Sequence, residues 1–407
     1  MDIIKNLSPS KKERESVSKV INGFLKKIKP RLKECELLIG GSMGKDSWLA
    51  GDHDVDIFVK FPKNYVKKDI SKILQDKLKN IKYDVIHGSR DYLQVKQGSY
   101  LFEIIPVLDI KKHEEAANIT DVSPLHVTWV KANNKDSEQV RLTKAFLKAN
   151  NLYGAESYKK GFSGYVVELL TIYYNGFMNL VEAASNWKEP VVIDLSKFYK
   201  DKKEVVNNLN KDKFSSLILI DPVQPNRNAA ASLSQERFKE FINLCKKYLK
   251  HPHEEFFIEK KFNVNELKKK YNKDEIILLE AEPLKGKEDV IGSKLLKLFN
   301  YVRDKVSSEG WKIKEANWFW NNEVLFYYVI EKKELSKEII HYGPPKKLIE
   351  NVNQFRKKWK NCKLLQDNYR VYIKLKRKYT KVNDYVKSLL KDKYLKNLVK
   401  SIKIKKV

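Results

Sequence analysis

Two aspartates one residue apart, Asp54 and Asp56, open the apolar run 54–61, and Gly40, Gly41 and Ser42 stand shortly before them. Successive side chains of a β-strand point to opposite faces, so Asp54 and Asp56 share one face while Val55, Ile57 and Val59 take the other. Adjacent carboxylates repel unless a cation lies between them. Magnesium, which takes one or two carboxylates together with phosphate oxygens and water, meets that need. The two glycines remove the side chains that would keep backbone N–H groups from a triphosphate, and Ser42 and Lys45 can add a hydroxyl and an ammonium. A third acid, Glu103, lies among Phe102, Ile104, Ile105 and Val107, where an isolated charge is too costly to bury unless it is paired, protonated or bound to metal. If its strand lies beside the first, the three acids could hold metal, activate an attacking hydroxyl and stabilise a leaving pyrophosphate. The chemistry expected of such a cluster is nucleotidyl transfer from an NTP.

These residues need a scaffold, and the apolar pattern supplies one. Ser10 precedes a stripe of Val17, Val20, Ile21, Phe24, Leu25 and Ile28, which predicts an N-terminal amphipathic helix. Strands are expected at 37–39, 54–61, 83–86, 92–95 and 100–108, with a basic helix over 65–78. The fold class expected is a multidomain α/β (α+β) protein. A mixed-sheet catalytic domain is expected over 1–130 and a mostly helical central domain, largely scaffold, over 131–250. A second α/β region with a basic tail, 251–407, is assigned to RNA. In that last part, strands are read at 276–279 and, alternating, at 326–330.

Composition narrows the partners. The chain has 407 residues, 42% of them hydrophobic, enough for several packed cores. No apolar run approaches the roughly 18 residues of a membrane span and no signal peptide is readable, so a cytoplasmic protein without membrane partners is expected. Three scattered cysteines give neither a zinc spacing nor a disulfide framework. His251 and His253, either side of Pro252, read as a loop. Lys and Arg outnumber Asp and Glu by 81 to 52, a formal net charge of +29, and over 341–407 the ratio is 21 to 4. Interleaved with Trp359, Tyr369, Tyr372, Tyr379, Tyr385 and Tyr394, this surplus fits a surface that tracks RNA phosphates.

The spacing of the Gly-Ser turn, the D-V-D of 54–56 and the FEIIP of 102–106 resembles the polymerase-β-type nucleotidyltransferase superfamily. SPLHVTWV at 123–130, QVRLTKAFLKANNLYGAE at 139–156, GFSGYVVELL at 161–170, DPVQPNRNAAASLS at 221–234 and HYGPP at 341–345 resemble one branch, the archaeal class I CCA-adding enzymes. The resemblance implies addition of C, C and A to the 3′ end of tRNA from CTP and ATP, with magnesium and no nucleic-acid template. It implies that Asp54, Asp56 and Glu103 are catalytic and hold the metal, with Glu103 placed to align or deprotonate the RNA 3′-hydroxyl. Gly41, Ser42 and Lys45 fall in the nucleotide site. His126, Lys144 and Tyr153 inherit a triphosphate role, and Arg227, in the loop that Asp221 begins, a base-reading one, for which the planar guanidinium fork is suited. The acceptor arm of tRNA is the expected partner, and a homodimer is compatible with this reading. At 88–92, GSRDY lacks the family's histidine–proline pair. The rivals are another RNA 3′-nucleotidyltransferase such as a poly(A) polymerase, which would take ATP alone, and a catalytically silent RNA-binding relative, against which the intact acids argue.

Overall fold

The computed structural model describes residues 2–209, 213–259, 262–321 and 323–406, and the chain divides into two compact units, 1–260 and 261–407. In the first, Ser10 accepts the Glu13 N–H and opens helix Lys11–Ile28, whose Val17, Ile21, Phe24 and Ile28 are buried along one stripe. The stripe packs on a five-stranded sheet of order β1-β2-β5-β4-β3, built from β1 (Glu36–Ile39), β2 (Asp54–Phe61), β3 (Asp84–Ile86), β4 (Tyr92–Gln97) and β5 (Tyr100–Leu108). Phe24 stacks on Phe102 with ring centroids 4.1 Å apart. In this sheet β2 and β5 run parallel and the other neighbours antiparallel. Val55, Ile57, Val59, Phe61, Phe102 and Ile104 are fully buried on the helix-covered face. The alternate residues of β2 and β5, among them Asp54, Asp56 and Glu103, are therefore left to the other face.

The basic helix expected from residue 65 starts later. Asp69 accepts the Lys72 N–H and caps helix Ile70–Leu78, while Lys63–Tyr65 forms a 3-10 turn after Pro62. Helix Ser123–Asn133 brings Val127 against Phe58 and Val107, on the carboxylate face of the sheet. Helices Ser137–Ala149, Gly164–Tyr173, Phe177–Ser185 and Gln235–Lys250 then build a second core around Phe146, Phe162, Val167, Leu169, Phe238 and Phe241. A parallel strand pair also lies in this helical stretch: β6 (Val191–Asp194) with β7 (Leu217–Ile220). β7 is the wholly buried run LILI, too short and too uniformly apolar for its period to separate strand from helix. It leads into loop 221–228, where the Asn228 side chain accepts the N–H groups of Leu219 and Ala230 and turns the chain back.

The strands of the second unit are β8 (Glu275–Pro283), β9 (Ile313–Trp320), β10 (Val324–Ile330), β11 (Glu338–Pro345), β12 (Leu364–Gln366), β13 (Arg370–Lys376) and β14 (Val399–Lys405). They form an antiparallel sheet of order β14-β8-β10-β9 and a smaller one of order β11-β13-β12. Leu295, Leu298 and Val302 of helix Glu288–Ser308 cover one face of the larger sheet, and Phe262, Leu267 and Tyr271 the other. Phe326 to Ile330 are consequently all buried, where the sequence pattern suggested alternation. The basic stretch after His341 is folded into β11, β13, β14 and the intervening helices. Part of its charge is matched across strands, Lys374 with Glu338, Lys400 with Glu282, and Lys403 and Lys405 with Glu280. Its aromatics divide: Tyr385 packs against Trp311 and Trp359 lies beside His341 and Phe355, whereas Tyr369 is 81% exposed. Among the described residues no helix is long and apolar enough to cross a membrane. Cys35, Cys245 and Cys362 are free thiols, and His251 and His253 lie at the end of helix Gln235–Lys250 and in the turn after it.

Candidate active site

Asp56 and Glu103 are direct partners across the parallel β2–β5 ladder, and Asp54 is one strand repeat away on the same face. The turn beside them is a single helical turn, Gly41–Gly44, tied to β2 by the Gly40 N–H donating to the Asp56 carbonyl at 2.8 Å. Gly41 has φ +53°, and a Cβ there would fall 1.6 Å from Asp56 Oδ2. Only glycine fits between this turn and this carboxylate.

Burial raises the Asp56 carboxyl above its ordinary value, Lys45 opposes the rise, Asp54 adds to it and Lys144 opposes it. Glu103 is pushed up to about 7, by burial first and then by the charge of Asp56, against a hydrogen bond from Gln94 at 3.1 Å. The sheet face therefore concentrates negative charge that the protein only partly neutralises, which is what a bound divalent cation relieves. Asp54 and Asp56 on β2 and Glu103 opposite Asp56 are oxygen ligands of the type such an ion takes. Among the described residues no group of three or more His, Cys, Asp or Glu side chains is arranged to hold a metal ion by itself.

The turn is anchored from below by two helices. Lys45 Nζ lies 2.6 Å from Glu168 Oε2, and the Ser47 hydroxyl donates to Glu168 Oε1 at 2.7 Å. Lys144 Nζ donates to the Ser47 carbonyl at 3.0 Å, and Arg141 to the carbonyls of Asp46 and Trp48. Tyr153 has the ammonium groups of Lys144 and Lys148 at 5.7 and 5.6 Å from its ring centre. Burial pulls Lys144 down to about 8 although Glu168 draws it up, and burial raises the Tyr153 hydroxyl. Ser42 sits in the helical turn itself, its carbonyl accepting the Ser47 N–H at 2.9 Å.

A second cluster forms where helix Ser123–Asn133 meets loop 221–228. His126 Nε2 lies 3.0 Å from Asp221 Oδ2, Arg227 donates to the same oxygen, and the Tyr165 hydroxyl donates to Oδ1 at 3.1 Å. The N–H groups of Val223 and Gln224 also point at Asp221 Oδ1. Burial opposes ionisation of Asp221, but His126 and Arg227 outweigh it and hold the carboxyl down to about 2. Tyr165 joins the clusters: His126 packs on its ring at 4.4 Å, and Lys45 Nζ is 5.8 Å from its centre. The structure thus gathers Gly41, Ser42 and Lys45 with Lys144 and Tyr153, and His126 with Asp221 and Arg227. Sequence reasoning missed Glu168 and Tyr165. A lone acid in the apolar run 166–170 was the available signal, the argument that singled out Glu103.

Residues 138–258 match the family described as tRNA nucleotidyltransferase, second domain, and residues 282–405 the CCA-adding enzyme, C-terminal domain. The CCA-adding enzyme of Nanoarchaeum equitans is 36% identical over 358 residues, 85% of this chain and 87% of that protein. The chain belongs to the CCA-adding enzymes. That of Sulfurisphaera tokodaii is 31% identical over 387 residues, covering 93% of this chain and 88% of its own. A solved structure of Cid1, described as an RNA terminal uridylyl transferase, superposes with a TM-score of 0.50 over 64% of this chain and 97% of that one, at 14% identity. That likeness concerns the fold alone.

In this CCA-adding enzyme the departure at 88–92 has a structural occupant. Arg90 pairs with Asp121, which is fully buried, and donates to the Pro106 carbonyl at 3.2 Å. Asn118 adds a bond to the Ser89 carbonyl at 2.7 Å. The segment is thereby fastened to the end of β5, the strand that carries Glu103.

Proposed function

We propose that the protein adds C, C and then A to the 3′ end of tRNA, taking CTP and ATP as donors and releasing pyrophosphate, with magnesium and without a nucleic-acid template. The observation that carries this reading is the register of β2 and β5, which puts Asp56 opposite Glu103 on the face that also holds Asp54 and the turn at Gly41, in a chain of this family. The 3′-oxygen of the RNA attacks the α-phosphorus of the nucleotide, the bond to the bridging oxygen breaks, and pyrophosphate leaves with the electron pair. Asp54, Asp56 and Glu103 would hold the magnesium, whose chemistry is to acidify the attacking hydroxyl and stabilise charge on the reacting phosphate. Glu103 aligns that hydroxyl or takes its proton.

Gly41 and Ser42 offer backbone N–H groups to the triphosphate, and Lys45, Lys144, His126 and Tyr153 meet its oxygens. Arg227 reads the incoming base. Asp221, fully buried, acts through its neighbours, fixing where His126 and Arg227 reach. The basic second unit holds the acceptor arm by phosphate contacts and shape.

The test is incorporation on a tRNA transcript lacking its CCA, offered each labelled NTP singly and then CTP with ATP, with and without magnesium. Two C additions followed by one A, only with magnesium, are expected. Continuous tailing with ATP alone would overturn the substrate assignment.

A pH dependence follows from Lys144. Its ammonium loses its proton near pH 8, so the KM for CTP is flat below that pH and climbs above it as the pocket loses a positive charge. In Lys144→Arg, whose side chain stays charged throughout, the climb disappears. KM profiles of the two proteins from pH 6.5 to about 9.5 check this; parallel climbs would remove Lys144 from the triphosphate site.

A further inference from the structure

Glu168 lies on helix Gly164–Tyr173 between Val167 and Leu169 and is 1% exposed. A carboxylate so placed is tolerable only with close partners, and both of those at hand come from the turn beside the acids, 123 and 121 positions away in the chain. Each oxygen has its own: Lys45 at Oε2 and Ser47 at Oε1. Ser47 is held from its other side by Lys144, through its carbonyl. Lys45 also acts electrostatically on Asp56. An ammonium on a flexible four-carbon stem beside an under-neutralised carboxylate would close onto it if nothing restrained it. That collapse would occupy the oxygens a metal needs and withdraw the charge a triphosphate needs.

We propose that Glu168 is a positioning residue for nucleotide binding: it fixes Lys45 and Ser47 so that the Lys45 ammonium stands beside the acid trio, facing the triphosphate, instead of folding onto Asp56. The proposal rests on the reading of this turn as the triphosphate site. Glu168 touches neither nucleotide nor RNA in it.

A double-mutant cycle read by CTP affinity without RNA separates this role from packing. Lys45→Met and Glu168→Gln are each expected to weaken CTP about tenfold, and the double variant to bind about threefold more weakly than Lys45→Met alone, the remainder of the Glu168 effect passing through Ser47 and Lys144. Losses that multiply to about a hundredfold overturn the proposal, as independent effects combine that way. A parent-like Glu168→Gln beside a weakened Lys45→Met overturns the proposal alone. A parent-like Lys45→Met overturns the triphosphate reading and the proposal with it. If Glu168→Gln does not fold, Ser47→Ala, which leaves the Glu168–Lys45 pair, decides: about threefold weaker CTP binding, measured where the variant is still fully folded, is expected from loss of one donor to this buried carboxylate, and unchanged affinity overturns it.

Discussion

Asp56→Ala lowers the rate of nucleotide addition by at least about a thousandfold and leaves tRNA affinity within about twofold of the parent, since the charge it removes acts on the reacting phosphate and not on the RNA grip. Asp54→Ala behaves alike. Asp56 sits at the centre of the site, opposite Glu103 in register and under Gly41. The same surroundings make a second, opposite readout. Burial and Asp54 raise its carboxyl, so in the folded protein the ionised form is disfavoured and the stability it costs grows as pH rises through its titration. Asp56→Asn, which removes the charge and keeps the shape, therefore melts no lower than the parent at neutral pH while being inactive. Single-turnover rates, gel shifts and melting curves on one preparation test all three statements. A matching loss of RNA binding, or a large drop in melting temperature, would make these acids structural.

Arg227→Lys relaxes the choice of CTP over UTP by about tenfold to a hundredfold, the range that a paired hydrogen-bond contact to a base is worth. Lysine is the informative replacement. Arg227 shares Asp221 with His126, and Asp221 is fully buried, so alanine would strip a partner from a buried charge and disturb the loop for reasons unrelated to the base. Lysine keeps the positive charge and loses only the fork. The ratio of kcat/KM for CTP and UTP on a transcript ending before its first C is the measurement; an unchanged ratio would move base reading elsewhere.

The parts of this molecule that were legible in its sequence are those fixed by local rules. A capping serine and a stripe at helical spacing give helix Lys11–Ile28, and alternation in 54–61 gives a strand with both acids on one face. Gly40 and Gly41 are explained by what lies against them, the ring of Phe58 and the carboxylate of Asp56. What escaped depends on partners distant in the chain. Glu168 has no visible purpose until helix Gly164–Tyr173 is laid under the turn, and Tyr165 reads as a core aromatic until His126 and Asp221 reach it. β6 and β7 escaped for a different reason, four-residue runs being too short to show a period. Asp221 was legible as part of a loop motif, but its burial, and hence its service to Arg227 and His126, required the fold.

The cross-strand pairs of β13 and β14 change what the net charge of this protein means for a polyanion. Counterion release, which drives such binding, comes from cations that are free to replace the ions condensed on the phosphates. Lys374, Lys400, Lys403 and Lys405 already face glutamates of their own unit. Lys346, Lys347, Lys357, Lys360 and Lys363 are exposed and have no ion pair among the described residues. The steepness with which salt weakens the complex is therefore set by cations of this second kind, and a formal charge of +29 overstates the number of ions exchanged.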